Sequence, residues 1–174
     1  MHVAAIKTFD IANGPGVRTS LFVSGCTHHC PGCFNSVAWD FAYGEPYTET
    51  TEAQILDALK PDFIDGLSLR GGEPMEPENQ EALLALVQRV KRELPGKTVW
   101  CYSGYTLEEL MGQTPSRARG PHTDAFLASL DVLVDGPFVL ARKNLMLRFR
   151  GSDNQRLLDM PRSLARGQAT EWQG

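Results

Sequence analysis

The chain has 174 residues, enough for one domain with a real core and scarcely enough for two. With 17 basic and 21 acidic residues its formal net charge is −4, which argues against a basic footprint for nucleic acid or for an anionic membrane. Hydrophobic residues make up 42% and charged residues 22%, the balance of a globular chain, and no apolar run reaches the length that spans a bilayer. The opening MHVAAIKTFD meets a charge and a turn too soon for an apolar leader. The expected compartment is therefore the cytoplasm, where disulfides are disfavoured and clustered cysteines point to metal or catalysis.

Taken in chain order, Asn13 to Arg18 (NGPGVR) is turn chemistry, and Thr19 to Ser24 reads as a buried strand. A cysteine-bearing loop leaves the end of that strand. TTEAQILDALK predicts an amphipathic helix capped by Thr50 or Thr51 and closed by Pro61. GLSLRGGEP predicts a short strand running into a glycine turn. PENQEALLALVQRVKREL has Pro77 at its start, acids in its first turn, bases in its last and Pro95-Gly96 beyond it, all marks of a helix. KTVWCYSGY reads as a strand followed by a helical TLEELMG, and residues 113–122 as a flexible surface loop. TDAFLASL predicts a short helix, DVLVDGPF a strand, and NLMLRFRGSDNQR a final strand and loop. From Met160 the chain is polar and is expected to fray. Strand, loop and helix repeat four or five times, which implies an α/β fold with a parallel sheet and its site at the C-terminal strand ends.

Three of the four cysteines, Cys26, Cys30 and Cys33, fall in GCTHHCPGC. A structural zinc site needs four N or S ligands, usually in two separated pairs, and only His28 or His29 offers a fourth here. An iron–sulfur cluster fits the spacing better, since Cys-x3-Cys-x2-Cys supplies three thiolates of the usual four and leaves one iron open. Cys101, between Trp100 and Tyr102, reads as a core residue of a strand.

The stretch NGPGVRTSLFVSGCTHHCPGCFN, with LSLRGGEP, GKTVWCYSGY, LDVLVDGPF and RFRGSDNQR in that order, resembles the radical S-adenosylmethionine (radical SAM) proteins that activate glycyl radical enzymes. Within them it is similar to the branch that serves anaerobic ribonucleoside-triphosphate reductase, and the likeness covers roughly residues 8–156. The resemblance implies a partial, open (βα)5-6 TIM-like barrel in a single domain, residues 1–159, with 160–174 as a flexible tail. It implies one [4Fe-4S] cluster per chain on Cys26, Cys30 and Cys33, with the fourth iron open to S-adenosyl-L-methionine (SAM). The implied activity is that of an oxidoreductase like the formate-C-acetyltransferase activases: reductive cleavage of SAM to a 5′-deoxyadenosyl radical, which takes a hydrogen from a glycine of the partner. The implied partners are the reductase large subunit, through its glycine loop, and a flavodoxin- or ferredoxin-like electron donor.

By the same resemblance, Gly71, Gly72 and Glu73 contact the SAM amino group, and Ser103, Gly104 and Tyr105 form a third-strand turn near SAM. Asp135, with Gly136 after it, is expected near the SAM carboxylate, through a monovalent cation. Gly14, Gly16 and Arg18 are similar to the family's entrance loop, or form a tight turn with a solvated arginine. Arg150 to Arg156 fall where the barrel mouth should close, and either help hold SAM or the partner's glycine loop or make a surface turn. His28 and His29 read as loop residues and not ligands, because three thiols suffice, or as residues that tune the cluster by hydrogen bonding. The chain departs from the pattern at Gly32, where many radical SAM proteins carry an aromatic residue, at Arg70, where a small residue is usual, and in the length of the 113–122 loop. An activase of formate-lyase type and a non-enzymatic Cys3His zinc module are the alternatives.

Overall fold

Alternation drives the first element. Residues His2–Asp10 form strand β1, whose partly buried and exposed positions interleave along most of its length. The computed structural model describes residues 1–174. Strand β2 (Val17–Val23) is buried at every residue but the first, as a strand covered on both faces must be. Two residues, Glu45–Pro46, make the edge strand β3. Helix α1 (Glu49–Leu59) is capped by Thr48, not by Thr50 or Thr51; Thr51 instead completes a reciprocal capping box with Thr48. Strand β4 (Ile64–Gly71) and helix α2 (Pro77–Glu93, with Pro at its first turn) follow as the sequence predicts. Then come β5 (Thr98–Tyr102), α3 (Leu107–Leu110), α4 (Thr123–Ala128), β6 (Val132–Asp135), β7 (Arg156–Asp159) and α5 (Met160–Arg166).

The sheet has seven strands in the order β3-β1-β2-β4-β5-β6-β7 and does not close. Its centre, β2-β4-β5-β6, is parallel. Both flanks are antiparallel, because β1 returns directly into β2 and β7 returns from β6 without a helical crossover. Parallel register sets two kinds of row. Leu21, Leu69, Cys101 and Leu133 lie side by side. They join Ile55 and Leu59 of α1, Leu83 and Val87 of α2, and Phe126 of α4 in one core. The neighbouring row, Ser20, Ser68, Trp100 and Val132, faces the other side. There a small cluster of Trp100, Val132 and Val134 packs with Phe149 and Trp172.

Three expectations are corrected. The strand expected within residues 144–150 is instead irregular chain, and the last strand starts at Arg156. The tail expected to fray is α5 and a return segment: Met160 is fully buried, Trp172 N–H donates to the Leu157 carbonyl at 2.8 Å, and Trp172 meets Trp100 edge to face at 4.9 Å. The 113–122 loop is tied down at its middle. Ala118 is buried, and its carbonyl accepts from Gln80 Nε2 at 2.6 Å. No helix is long and apolar enough to cross a membrane.

Candidate functional site

The four parallel strands end on one edge, and the turns that leave them surround a cleft of about 330 Å³. Its lining includes Cys26, Cys30 and Cys33 after β2, Gly71, Gly72 and Glu73 at the end of β4, Ser103 and Gly104 after β5, and Gly136 and Phe138 after β6. Lys143, Leu145, Leu147, Arg150 and Gln155, between β6 and β7, form the remaining wall.

The cysteine loop is fixed by main-chain bonds at both ends. Gly25 N–H donates to the Ala38 carbonyl at 2.8 Å and Cys26 N–H to the Trp39 carbonyl at 3.2 Å. From the next strand, Gly72 N–H donates to the Val23 carbonyl at 2.7 Å and Glu73 N–H to the Gly25 carbonyl at 2.8 Å. This is why residue 72 carries no side chain: a Cβ there would lie 2.5 Å from the Gly25 oxygen and 2.6 Å from the Ala38 oxygen. The glycine admits the chain's own backbone.

Cys26 is buried, Cys30 and Cys33 are half-buried, and all are free thiols. Burial pushes the Cys26 thiol up to about 11 and moves Cys30 in the same direction. A metal's charge is what draws protons from such thiols. No three His, Cys, Asp or Glu side chains converge as ligands of a single ion. A zinc ion needs its donors about 2.0–2.3 Å from one centre. A cubane cluster takes each thiolate on a different iron, so its ligands surround one cavity and do not converge on a single point, and these three share one cavity. The donor set and cleft therefore fit a cluster better than they fit zinc. Cys101 is fully buried in the core and faces no cleft.

Glu73 is almost fully buried, with its oxygens on protein donors. Oε2 accepts from Gly104 N–H at 2.7 Å and lies 3.1 Å from His28 Nε2, while Oε1 accepts from Met75 N–H at 2.8 Å. His28 is thus no bystander. Its ring packs on Tyr105 at 4.3 Å and fills the space above Gly104, where a Cβ would meet it at 2.6 Å. Glu76, fully buried, accepts from Thr27 N–H at 2.8 Å and Thr27 Oγ at 2.6 Å, and is paired by Arg117 from the 113–122 loop.

A scan against protein families matches residues 12–158 to the 4Fe-4S single cluster domain. The chain is 47% identical over 148 residues to the anaerobic ribonucleoside-triphosphate reductase-activating protein of Vibrio cholerae, covering 84% of this chain and 90% of that one. It is 45% identical to the Escherichia coli K12 protein of that name, with the same shares covered. The relative from Enterobacteria phage T4, of the same name, is 37% identical over 159 residues, 90% of this chain and 93% of that one. The chain belongs to the family of anaerobic ribonucleoside-triphosphate reductase-activating proteins.

Within this activating-protein family member, the residues expected around the cofactors separate into two groups. The cysteines, Gly71, Gly72, Glu73, Ser103 and Gly104 share the cleft. Tyr105 and Asp135 stand behind its wall. The Tyr105 hydroxyl lies 3.3 Å from Thr27 Oγ and 3.4 Å from Glu76. Asp135 is fully buried; it accepts from Leu107 N–H at 2.7 Å and from Arg156 Nε at 2.9 Å, and Arg156 also holds Glu108 at 2.7 Å. The positive charge beside Asp135 is thus the Arg156 guanidinium. Arg18 is not solvated but fully buried, bonded to Ser68 Oγ, Thr98 Oγ1 and the carbonyls of Leu67 and Thr98. Burial lowers its pKa to about 10. It laces β2, β4 and β5 together. In the 150–156 stretch, Arg150 and Gln155 line the cleft, and Gln155 Nε2 ties this segment to the Gly136 carbonyl at 3.0 Å. Sequence reasoning missed Glu76 and Arg70 as site residues, and did not foresee the contact of His28 with Glu73. The departure at Arg70 was the one available signal.

Proposed function

We propose that this chain activates an anaerobic ribonucleoside-triphosphate reductase by generating its glycyl radical. The observation that carries the reading is the shared cleft of Cys26, Cys30 and Cys33 with the Gly71-Gly72-Glu73 turn. The family membership and the 4Fe-4S domain support it. When bound, a [4Fe-4S] cluster and SAM would supply the radical chemistry, with the electron entering from an external reductant. The chain's own work is to bind, orient and keep water out. The three thiols hold the cluster. Glu73, held by His28, Gly104 and Met75, retains a lone-pair direction for the SAM ammonium. Asp135 acts on the cleft through Gly136, the residue after it, which lines the cleft.

The open sheet, parallel at its centre with its cleft at the strand ends, supports reading the fold as a partial radical SAM barrel. We take the whole chain as one domain acting in the cytoplasm. A flavodoxin- or ferredoxin-like donor supplies the electron. One experiment tests the reading. Reconstituted protein, a reductant, SAM and an anaerobic reductase are mixed without oxygen, and electron paramagnetic resonance is expected to show a glycyl-radical doublet on the reductase. SAM cleavage without that doublet overturns the partner assignment. A Cys30→Ala variant that still cleaves SAM overturns the chemistry.

A further inference from the structure

The long loop between α3 and α4 reaches the cysteine loop through one buried carboxylate. Glu76, the residue before α2, is fully buried. Its Oε1 accepts from Thr27 N–H at 2.8 Å and Thr27 Oγ at 2.6 Å, and Thr27 directly follows Cys26. Its Oε2 meets Arg117, and no other hydrogen-bond donor of the chain reaches that oxygen. Arg117 is half-exposed and also holds Glu78 at 3.0 Å. The loop is fastened on both sides of that contact. Gln80 Nε2 donates to the Ala118 carbonyl at 2.6 Å, and Gly120 N–H donates to Thr123 Oγ at 2.9 Å.

The turn that Thr27 opens needs holding. His29 has a φ of +47°, a left-handed conformation that costs a residue with a side chain. Such a conformation persists only where its surroundings overdetermine it. On one side of the turn His29 stacks on Trp39 at 4.5 Å; on the other stands the Glu76 carboxylate. The N–H groups of His28 and His29 hydrogen-bond the Cys26 sulfur, so the turn decides what that sulfur meets. A carboxylate as buried as Glu76 is costly without a cation, and Arg117 supplies one. We propose that Arg117 is a positioning residue for the cysteine loop, acting through Glu76 on Thr27, with the 113–122 loop as the strut that carries it. Its bearing on a cluster rests on reading the three thiols as the ligands. N–H bonds to a ligand sulfur are among the features that set a cluster's potential.

The test uses the metal-free full-length protein as wild type, Arg117→Met, Arg117→Lys, Glu76→Gln and the double variant Arg117→Met, Glu76→Gln. Each is alkylated with iodoacetamide, and the rate at each cysteine is followed by mass spectrometry. Cys101, fully buried in the core, reports general opening of the fold. In Arg117→Met, Cys26 is expected to react about tenfold faster, the loss of one charge-assisted bond, with Cys101 unchanged. Arg117→Lys recovers part of that loss. Glu76→Gln keeps an acceptor oxygen for Thr27 and leaves no charge to neutralise, so adding Arg117→Met to it changes nothing more. A wild-type rate at Cys26 in Arg117→Met overturns the proposal. So does equal acceleration at Cys26 and Cys101, which marks a general loss of stability. Further acceleration in the double variant overturns the route through Glu76. Failure of the proposed function is separate, since these rates involve neither cluster nor SAM and that failure shows as a missing glycyl radical.

Discussion

Residue 72 shows how little room the cysteine loop allows. A Cβ at Gly72 meets two carbonyl oxygens of the chain itself, and neither belongs to a flexible side chain that can turn away. Gly72→Ala is expected to destabilise the protein by about 1–3 kcal/mol, in the range of an overpacked site. It should also shift the Cys26 end of the loop, lowering iron retained on reconstitution. Urea titration and iron analysis check the two effects separately. At this scale the sequence was legible where chemistry is written in spacing. Cys26, Cys30 and Cys33 follow one another in a single loop, and Gly71-Gly72-Glu73 is a contiguous word. Arg18 was not legible, because its burial depends on Thr98, which lies 80 positions away in sequence. His28 was discounted as a surplus ligand, and its bond to Glu73 spans 45 positions.

Among the elements, α2 was readable from end to end because its punctuation is local: Pro77 at the start, apolar spacing, then Pro95-Gly96. The flanking strands were not. β1 and β7 pair with β2 and β6, and neither the alternation in HVAAIKTFD nor the four residues RLLD were read as a strand. The tail follows the same logic. Its polar composition predicts fraying, yet Met160 is buried and the segment returns to bond Leu157 and Asp159. Removing residues 160–174 is therefore expected to uncover Trp100 and part of the core. Burying a large apolar side chain is worth about 1.5–3 kcal/mol, so the truncated protein should unfold at markedly lower urea. A coincident red shift of tryptophan emission in the native baseline would mark the exposure of Trp100, and an unchanged midpoint would show that the tail contributes nothing.

For the molecule as a whole, acid stability follows from the cluster behind the cleft wall. The Arg156 guanidinium holds the Glu108 carboxyl below its ordinary value of 4.5. A folded-state pKa below the unfolded one means the ionised carboxylate stabilises the fold, fully above about pH 4.5. That contribution disappears as pH falls through the folded value. Wild type should thus lose stability steadily below that point, and Glu108→Gln should show a shallower fall with a lower plateau at neutral pH. Urea midpoints measured from about pH 3 to pH 7 decide it, and equal slopes for both proteins would count against the pairing. Since Glu108 is partly exposed, salt should blunt the difference. The overall architecture was legible only in part. The parallel centre follows from repeated strand, loop and helix, whereas the antiparallel flanks and the open edges required the whole set of pairings.

The main-chain bonds that anchor Gly25, Cys26, Gly72 and Glu73 involve no cofactor atom. Their consequence concerns upkeep. A cluster destroyed by air takes none of these bonds with it, so the scaffold that receives a replacement survives the damage. Renewal then does not require that part of the backbone to be rebuilt. Amide protons at Gly25 and Glu73, and at Thr27 bonded to Glu76, should exchange equally slowly before and after the loss, while the amides of His28, His29 and Cys30 exchange faster in the emptied protein.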